Sequence, residues 1–242
     1  MFIPFSFPHI PNVECYFQVR TNIENTSDNI SFECGLDNDK VYSARKRLYD
    51  RLQIDRYSEV RQVHGKQTVY APMIYESSSK NEILQEGDGI ATDKENLALL
   101  IKTADCQPIL IAETSGKYIM ALHVGWRGNA GHYIHKAILE FCTVYSLAPE
   151  NLCAVRGPSL SPAMSEFINV PDEFTTDDMK YYNPETKTMD LWKMTTMQLV
   201  ESGIAQEHIY SIDICTYSSP FLFSYRRNRT TGRQASIIMI RE

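Results

Sequence analysis

The sequence has no surplus of positive charge: 24 Lys and Arg stand against 30 Asp and Glu, a formal net charge of −6. Without a global positive field, binding to nucleic acid or to an anionic membrane is not expected. It also lacks an apolar run near the roughly 20 residues of a spanning helix, the strongest stretch, 97–101, ending at Lys102. The six cysteines never form a CxxC pair, which argues against a disulfide framework and predicts a reducing, cytoplasmic setting. The opening MFIPFSFPHIP has no basic n-region and is broken by Pro4, Pro8 and Pro11, so no secretory signal is predicted. No repeat, low-complexity tract or long linker divides the chain, and no feature specifies an oligomeric state. With 43% hydrophobic and 22% charged residues, the expectation is one globular domain spanning 1–242 that works on small molecules.

Val41, Ala44, Leu48 and Leu52 recur at helical spacing behind Asp37, which predicts an amphipathic helix. Short apolar runs predict strands at 15–20, 60–63, 97–101, 108–113, 118–124, 152–156, 209–214, 221–225 and 235–240. Ala130, Ile134, Ala137, Ile138 and Phe141 form one stripe on a helix opened by GWRGNAG, and another helix follows Asp190 and ends near Gly203. The polar stretches 22–29 and 77–86 read as surface loops. Strands and helices without regular alternation predict an α+β fold with mixed β-sheets flanked by helices.

Three segments each deliver one good metal ligand where the chain turns: RQVHG with His64, KTADCQP with Cys106 and ALHVGWRG with His123. Two imidazoles and a thiolate suit zinc, and three protein ligands leave a tetrahedral position open. The separations match no local zinc signature, so other readings stay open. Cys106 and His123 could instead form a metal-free nucleophile and base, as in a Cys-His hydrolase, with Asp105 orienting the imidazole. His64 separates the two, because only a metal needs it. A third reading is a structural zinc site completed by Cys34 or Cys215.

The glycine-rich loop with Arg127, and the basic run containing Arg226, Arg227, Arg229 and Arg233, are candidate anion-binding segments. Their bland readings are a strand-to-helix turn and a solvated hairpin. His132 and His135 lie off the apolar stripe and are predicted to be solvated, His9 and His208 have no evident partner, and Met189, Met194 and Met197 are predicted core.

Taken together, QVHG (62–65), DGIAT (88–92), TADCQPILIA (103–112), HVGWRG (123–128), GPSL (157–160) and TGRQAS (231–236) closely resemble the YfiH-like laccase-domain family, also labelled multicopper polyphenol oxidase or purine nucleoside phosphorylase. The resemblance implies a single α+β domain and metal ligands at His64, Cys106 and His123. It implies phosphorolysis of purine nucleosides (inosine, guanosine, adenosine, methylthioadenosine), adenosine deamination, and a copper-dependent polyphenol oxidase as the alternative. The partners implied are a purine nucleoside and phosphate, the cofactor zinc, with copper as the other metal. Arg127 and Arg233 are then the phosphate candidates, and Asp105 a proton carrier or orienter beside Cys106. The chain departs from the family pattern in its early motif, at Ser165-Glu166 where the family has Tyr-Glu, and at Val124 where the family has a smaller residue.

Overall fold

The three apolar runs within residues 97–124 set the architecture, because most of their side chains are apolar on both faces and a strand buries both its faces only when each is covered. The computed structural model describes residues 1–79 and 84–242. In chain order the elements are β1 (Phe2–Ser6), β2 (Val13–Gln18), α1 (Asn38–Leu52), β3 (Arg56–Glu59), β4 (Thr68–Val69), β5 (Tyr75–Glu76), β6 (Gly89–Thr92), β7 (Leu97–Thr103), β8 (Gln107–Glu113) and β9 (Ile119–Val124). They continue with α2 (Trp126–Ala130), α3 (Tyr133–Tyr145), β10 (Leu152–Arg156), β11 (Tyr182–Asn183), β12 (Thr188–Met189), α4 (Leu191–Glu201), β13 (Ile209–Ser211) and β14 (Gln234–Ile240).

The strands form two six-stranded mixed sheets, ordered β1-β2-β14-β7-β3-β5 and β13-β10-β8-β9-β6-β4, plus the β11-β12 hairpin. Alternation along each strand decides which layer a side chain joins. Leu99, Ile101, Ile238 and Ile240 of the first sheet meet Leu110, Ala112, Ile119, Ala121 and Val155 of the second, forming the core between the sheets. The intervening residues Ala98, Leu100, Ile237 and Met239 face α1 through Ala44, Leu48 and Leu52. On the far side Ile109, Ile111, Met120, Leu122 and Val124 pack against Ile134, Ala137, Ile138 and Phe141 of α3. The result is a layered α+β domain, and each fully buried Leu or Ile contributes roughly 1.5–3 kcal/mol.

The helix behind Asp37 forms as predicted, its carboxylate accepting from the N–H groups of Asp39 and Lys40. Met189 and Met194 are buried, and Met197 packs against their cluster. Several expected strands differ. Residues 221–225 form none, although their aromatic pattern suggests one: Phe223 exchanges both backbone bonds with the Gln234 side chain, and the Arg227 guanidinium collects the carbonyls of Thr216, Tyr217, Ser219 and Leu222. Side chains take the groups that a ladder would use. The strand expected at 60–63 is instead Arg56–Glu59, followed by a turn. The strand at 15–20 becomes Val13–Gln18, and that at 209–214 stops at Ser211. The helix expected after Gly125 is two helices, broken at His132, which adopts a left-handed φ of 52°. The polar stretch 22–29 is irregular, while the loop expected at 77–86 lies partly outside the described residues. No helix among the described residues is long and apolar enough to cross a membrane.

Candidate metal centre

His64 lies beyond the end of β3, in a segment that side chains hold in place of a ladder. The Gln62 amide donates to the Lys102 carbonyl at 2.7 Å and accepts from the Lys102 N–H at 2.8 Å, standing in for a strand partner of β7. The Lys102 ammonium sits 2.9 Å from Glu59, which also pairs with Arg45, and all three are buried. Burial alone would raise the Glu59 carboxyl, but Lys102 and Arg45 outweigh it and bring it down to about 2. On the other side of the turn, the N–H groups of Val63, His64 and Gly65 all donate to the Asp88 carboxylate, at 3.3, 2.9 and 2.6 Å. His64 itself has a φ of 59°. That left-handed conformation costs an L-residue about 1–2 kcal/mol, which the three charge-assisted bonds offset.

Cys106 occupies the corner where β7 of one sheet turns into β8 of the other, and His123 lies near the end of β9, opposite Pro108. His123 shares strand parity with Ile119 and Ala121, so it faces the space between the sheets. Asp88, just ahead of β6, accepts the His123 Nδ1–H at 2.7 Å and, through its own carbonyl, the His123 backbone N–H at 2.7 Å. Only Nε2 of His123 is left to act as a ligand. Asp88 is fully buried; burial alone would raise its carboxyl, but the His123 contact and the backbone N–H bonds hold it below the usual carboxylate range.

One ligand atom each from His64, Cys106 and His123 lies within 4.8 Å of the others, a grouping able to hold a metal ion. Cys106 Sγ stands 3.9 Å from His64 Nε2, and the two imidazole rings meet edge-on at 81° with centroids 4.8 Å apart. His123 is buried, Cys106 half-buried and His64 exposed, so the group opens to solvent on the His64 side. Burial would push the Cys106 thiol up; the His123 charge and hydrogen bonds from both imidazoles outweigh it and bring it down to about 6. His123, which burial would lower, rises to about 9 through Cys106 and Asp88. The Cys106 shift favours the thiolate, the form that binds metals, while His123 gives up its Nε2 proton when it acts as a ligand. Gly125 closes one wall: a Cβ there would come within 3.1 Å of Cys106 Sγ and 3.3 Å of His64 Cδ2.

Asp105 does not orient the imidazole, contrary to the expectation from its place beside Cys106. Its two oxygens accept from Thr216 Oγ1 and the Arg226 N–H, each at 2.6 Å, and the orienting carboxylate is Asp88. Sequence reasoning missed that role; an acid immediately before a strand, in the DGIAT block, was the available signal. Arg127 is exposed beside the Gly125 wall, its guanidinium 4.2 Å above the Trp126 ring and 4.0 Å from Glu173. Arg233 directs Nη1 to the carbonyls of Thr231 and Gly232, and Arg226 reaches the Glu166 carbonyl. Neither Cys34 nor Cys215 joins the ligand group, and the latter sulfur accepts from the Ser161 N–H. His135 is half-buried and bonded to Ser202, not solvated as predicted, whereas His132 is exposed. Val124 faces α3, opposite in parity to His123, so its extra bulk is absorbed in the helix-facing core.

Residues 20–241 match the family described as multi-copper polyphenol oxidoreductase laccase. The chain belongs to that laccase-domain family. Among curated members, the purine nucleoside phosphorylase YfiH of Escherichia coli is 28% identical over 220 residues, covering 88% of this chain and 86% of the relative. The purine nucleoside phosphorylase of Haemophilus influenzae is 33% identical over 163 residues, 63% of this chain and 64% of that protein. Among solved structures, YlmD from Geobacillus stearothermophilus superposes with a TM-score of 0.82 at 26% identity, over 97% of this chain and 94% of that one. The Neisseria meningitidis protein NMB0706 shares the fold, with a TM-score of 0.83 over 100% and 99% of the two chains, at 24% identity.

Proposed function

We propose that this laccase-domain protein is a cytoplasmic, zinc-dependent purine nucleoside phosphorylase that takes inosine, guanosine, adenosine or methylthioadenosine with phosphate, and that also deaminates adenosine. One observation carries the reading: His64, Cys106 and His123, remote in sequence, converge within 4.8 Å in a chain whose relatives bear the phosphorylase name over most of its length. The donor set fits zinc, with two imidazoles, a sulfur held toward thiolate, and no fourth ligand in the group among the described residues. Zinc held there would supply Lewis acidity.

The chain's own residues supply the rest. Asp88 keeps the His123 proton on Nδ1, and Gly125 leaves room above the sulfur. Phosphorolysis builds positive charge at the ribose C1′ while phosphate attacks and the purine leaves, so it needs an anchored anion. Arg127, exposed on the first turn beyond Gly125, is the better phosphate group, since Arg233 already spends Nη1 on carbonyls.

A metal-free Cys-His hydrolase leaves His64 without a role, yet His64 Nε2 faces the sulfur at 3.9 Å. A multicopper oxidase draws support from the family description, but His9, His132, His135 and His208 join no second ligand group among the described residues. The test is phosphate-dependent release of base from inosine by zinc-loaded protein and by Cys106→Ala. Turnover that requires phosphate and disappears in the variant is expected; equal turnover in the two overturns the proposal.

A further inference from the structure

We infer that Asp88 is a positioning residue that presets both imidazoles for metal, so that one carboxylate sets the affinity of the whole centre. The inference rests on the metal reading above and adds a residue that neither touches the ion nor neighbours a ligand in sequence. Four donors converge on the Asp88 carboxylate: the N–H groups of Val63, His64 and Gly65, and Nδ1–H of His123. The three backbone bonds hold His64 in its left-handed conformation with Nε2 turned to Cys106. The fourth fixes the His123 tautomer and leaves Nε2 as the ligand atom. A ligand His that donates its other nitrogen to a carboxylate is a familiar arrangement; here the same carboxylate also builds the loop of the second His. No competing partner weakens the grip, because the group is fully buried, and its backbone is tied down by Asp88 N–H donating to the Gln67 carbonyl.

The isosteric variant Asp88→Asn separates positioning from bulk packing. An amide keeps one acceptor oxygen but turns an NH₂ toward donors that need an acceptor, so the Gly65 side or the His123 side loses its bond. Zinc affinity of folded protein, measured by competition with a chromophoric chelator, is expected to fall by at least about 10- to 100-fold, the range for one such partner. In a His64→Ala background the Asp88→Asn loss should shrink, because the loop it positions no longer carries a ligand. Should Asp88→Asn fail to fold, the zinc-loaded wild type still tests the point by long-range proton–nitrogen correlation of its histidines. His123 with its proton on Nδ1 supports the inference; a proton on Nε2 overturns it. Folded Asp88→Asn that binds zinc within about twofold of wild type, with only its melting temperature lowered, also overturns it and leaves the metal reading intact. Wild type that binds no zinc overturns both.

Discussion

Two aspartates flank the ligand group, and they serve different regions. Asp88 gathers the His64 turn and the end of β9 around one buried carboxylate. Asp105, although adjacent to Cys106, turns away and binds Thr216 and Arg226, tying the C-terminal basic segment to the corner between the sheets. Asp105 lies in the bend between β7 and β8 with a left-handed φ of 100°, and its carboxylate is committed to Thr216 and Arg226, so its place beside Cys106 in the sequence does not make it the imidazole's orienter. The orienting carboxylate comes from the residue just before a strand that pairs with that of His123: β6, which Asp88 precedes, runs antiparallel to β9.

Exchanging the two carboxylates for amides breaks or sharpens this contrast. Asp88→Asn carries the large affinity loss described above, whereas Asp105→Asn is expected to leave zinc affinity within about threefold. Its cost should instead appear as about 1–3 kcal/mol of stability, because a donor of Thr216 or Arg226 loses its acceptor; chemical denaturation of the apo protein measures it. If Asp105→Asn weakened zinc as much as Asp88→Asn, the division of labour would be wrong.

Gly125→Ala tests the wall of the centre. Its Cβ would sit 3.1 Å from Cys106 Sγ and 3.3 Å from His64 Cδ2, so the ligands must yield by a few tenths of an ångström. Zinc affinity should drop several-fold, less than the roughly 100-fold reached when an orienting group is lost. Gly65→Ala is the matched control, with its Cβ at ordinary contact distance, 3.4 Å from the Asp88 carboxylate; isothermal titration of both variants should show the difference.

The last effect lies away from the centre and concerns acid. The Glu59 carboxyl has a folded pKa of about 2 against an ordinary 4.5. A depressed carboxylate adds stability above its unfolded pKa and loses it as pH falls through the folded value. Stability should therefore decline between about pH 5 and pH 2, and Glu59→Gln should flatten part of that slope in denaturant titrations of apo protein. An unchanged slope would mean that Arg45 and Lys102 do not hold this carboxylate charged.

Much of the frame was legible because burial writes itself into composition. Strands β7, β8 and β9 read as apolar runs since both their faces are covered, and α1 announced itself through Asp37 and its stripe. The candidate ligands were legible as residue types, but spacing alone left a metal, a Cys-His pair and a structural zinc site all open, and it was family resemblance that favoured the open metal site. Three features stayed hidden for one reason: side chains replaced backbone partners. Gln62 substitutes for a strand beside Lys102, Gln234 and Arg227 take the backbone groups of 221–225 that suggested a strand, and Asp88 substitutes for a turn partner of 63–65. Periodicity cannot register such bonds, since they join single side chains to backbone groups elsewhere in the chain, 24 residues away for Asp88 and His64 and 40 for Gln62 and Lys102.

Zinc stoichiometry and affinity of purified wild type, beside Cys106→Ala and His64→Ala, tests the centre most directly. About one zinc per chain is expected in wild type, retained through gel filtration and lost from both variants while each keeps its fold. Zinc that is absent from wild type, or that stays bound at equal affinity when the sulfur or the exposed imidazole is removed, would contradict it.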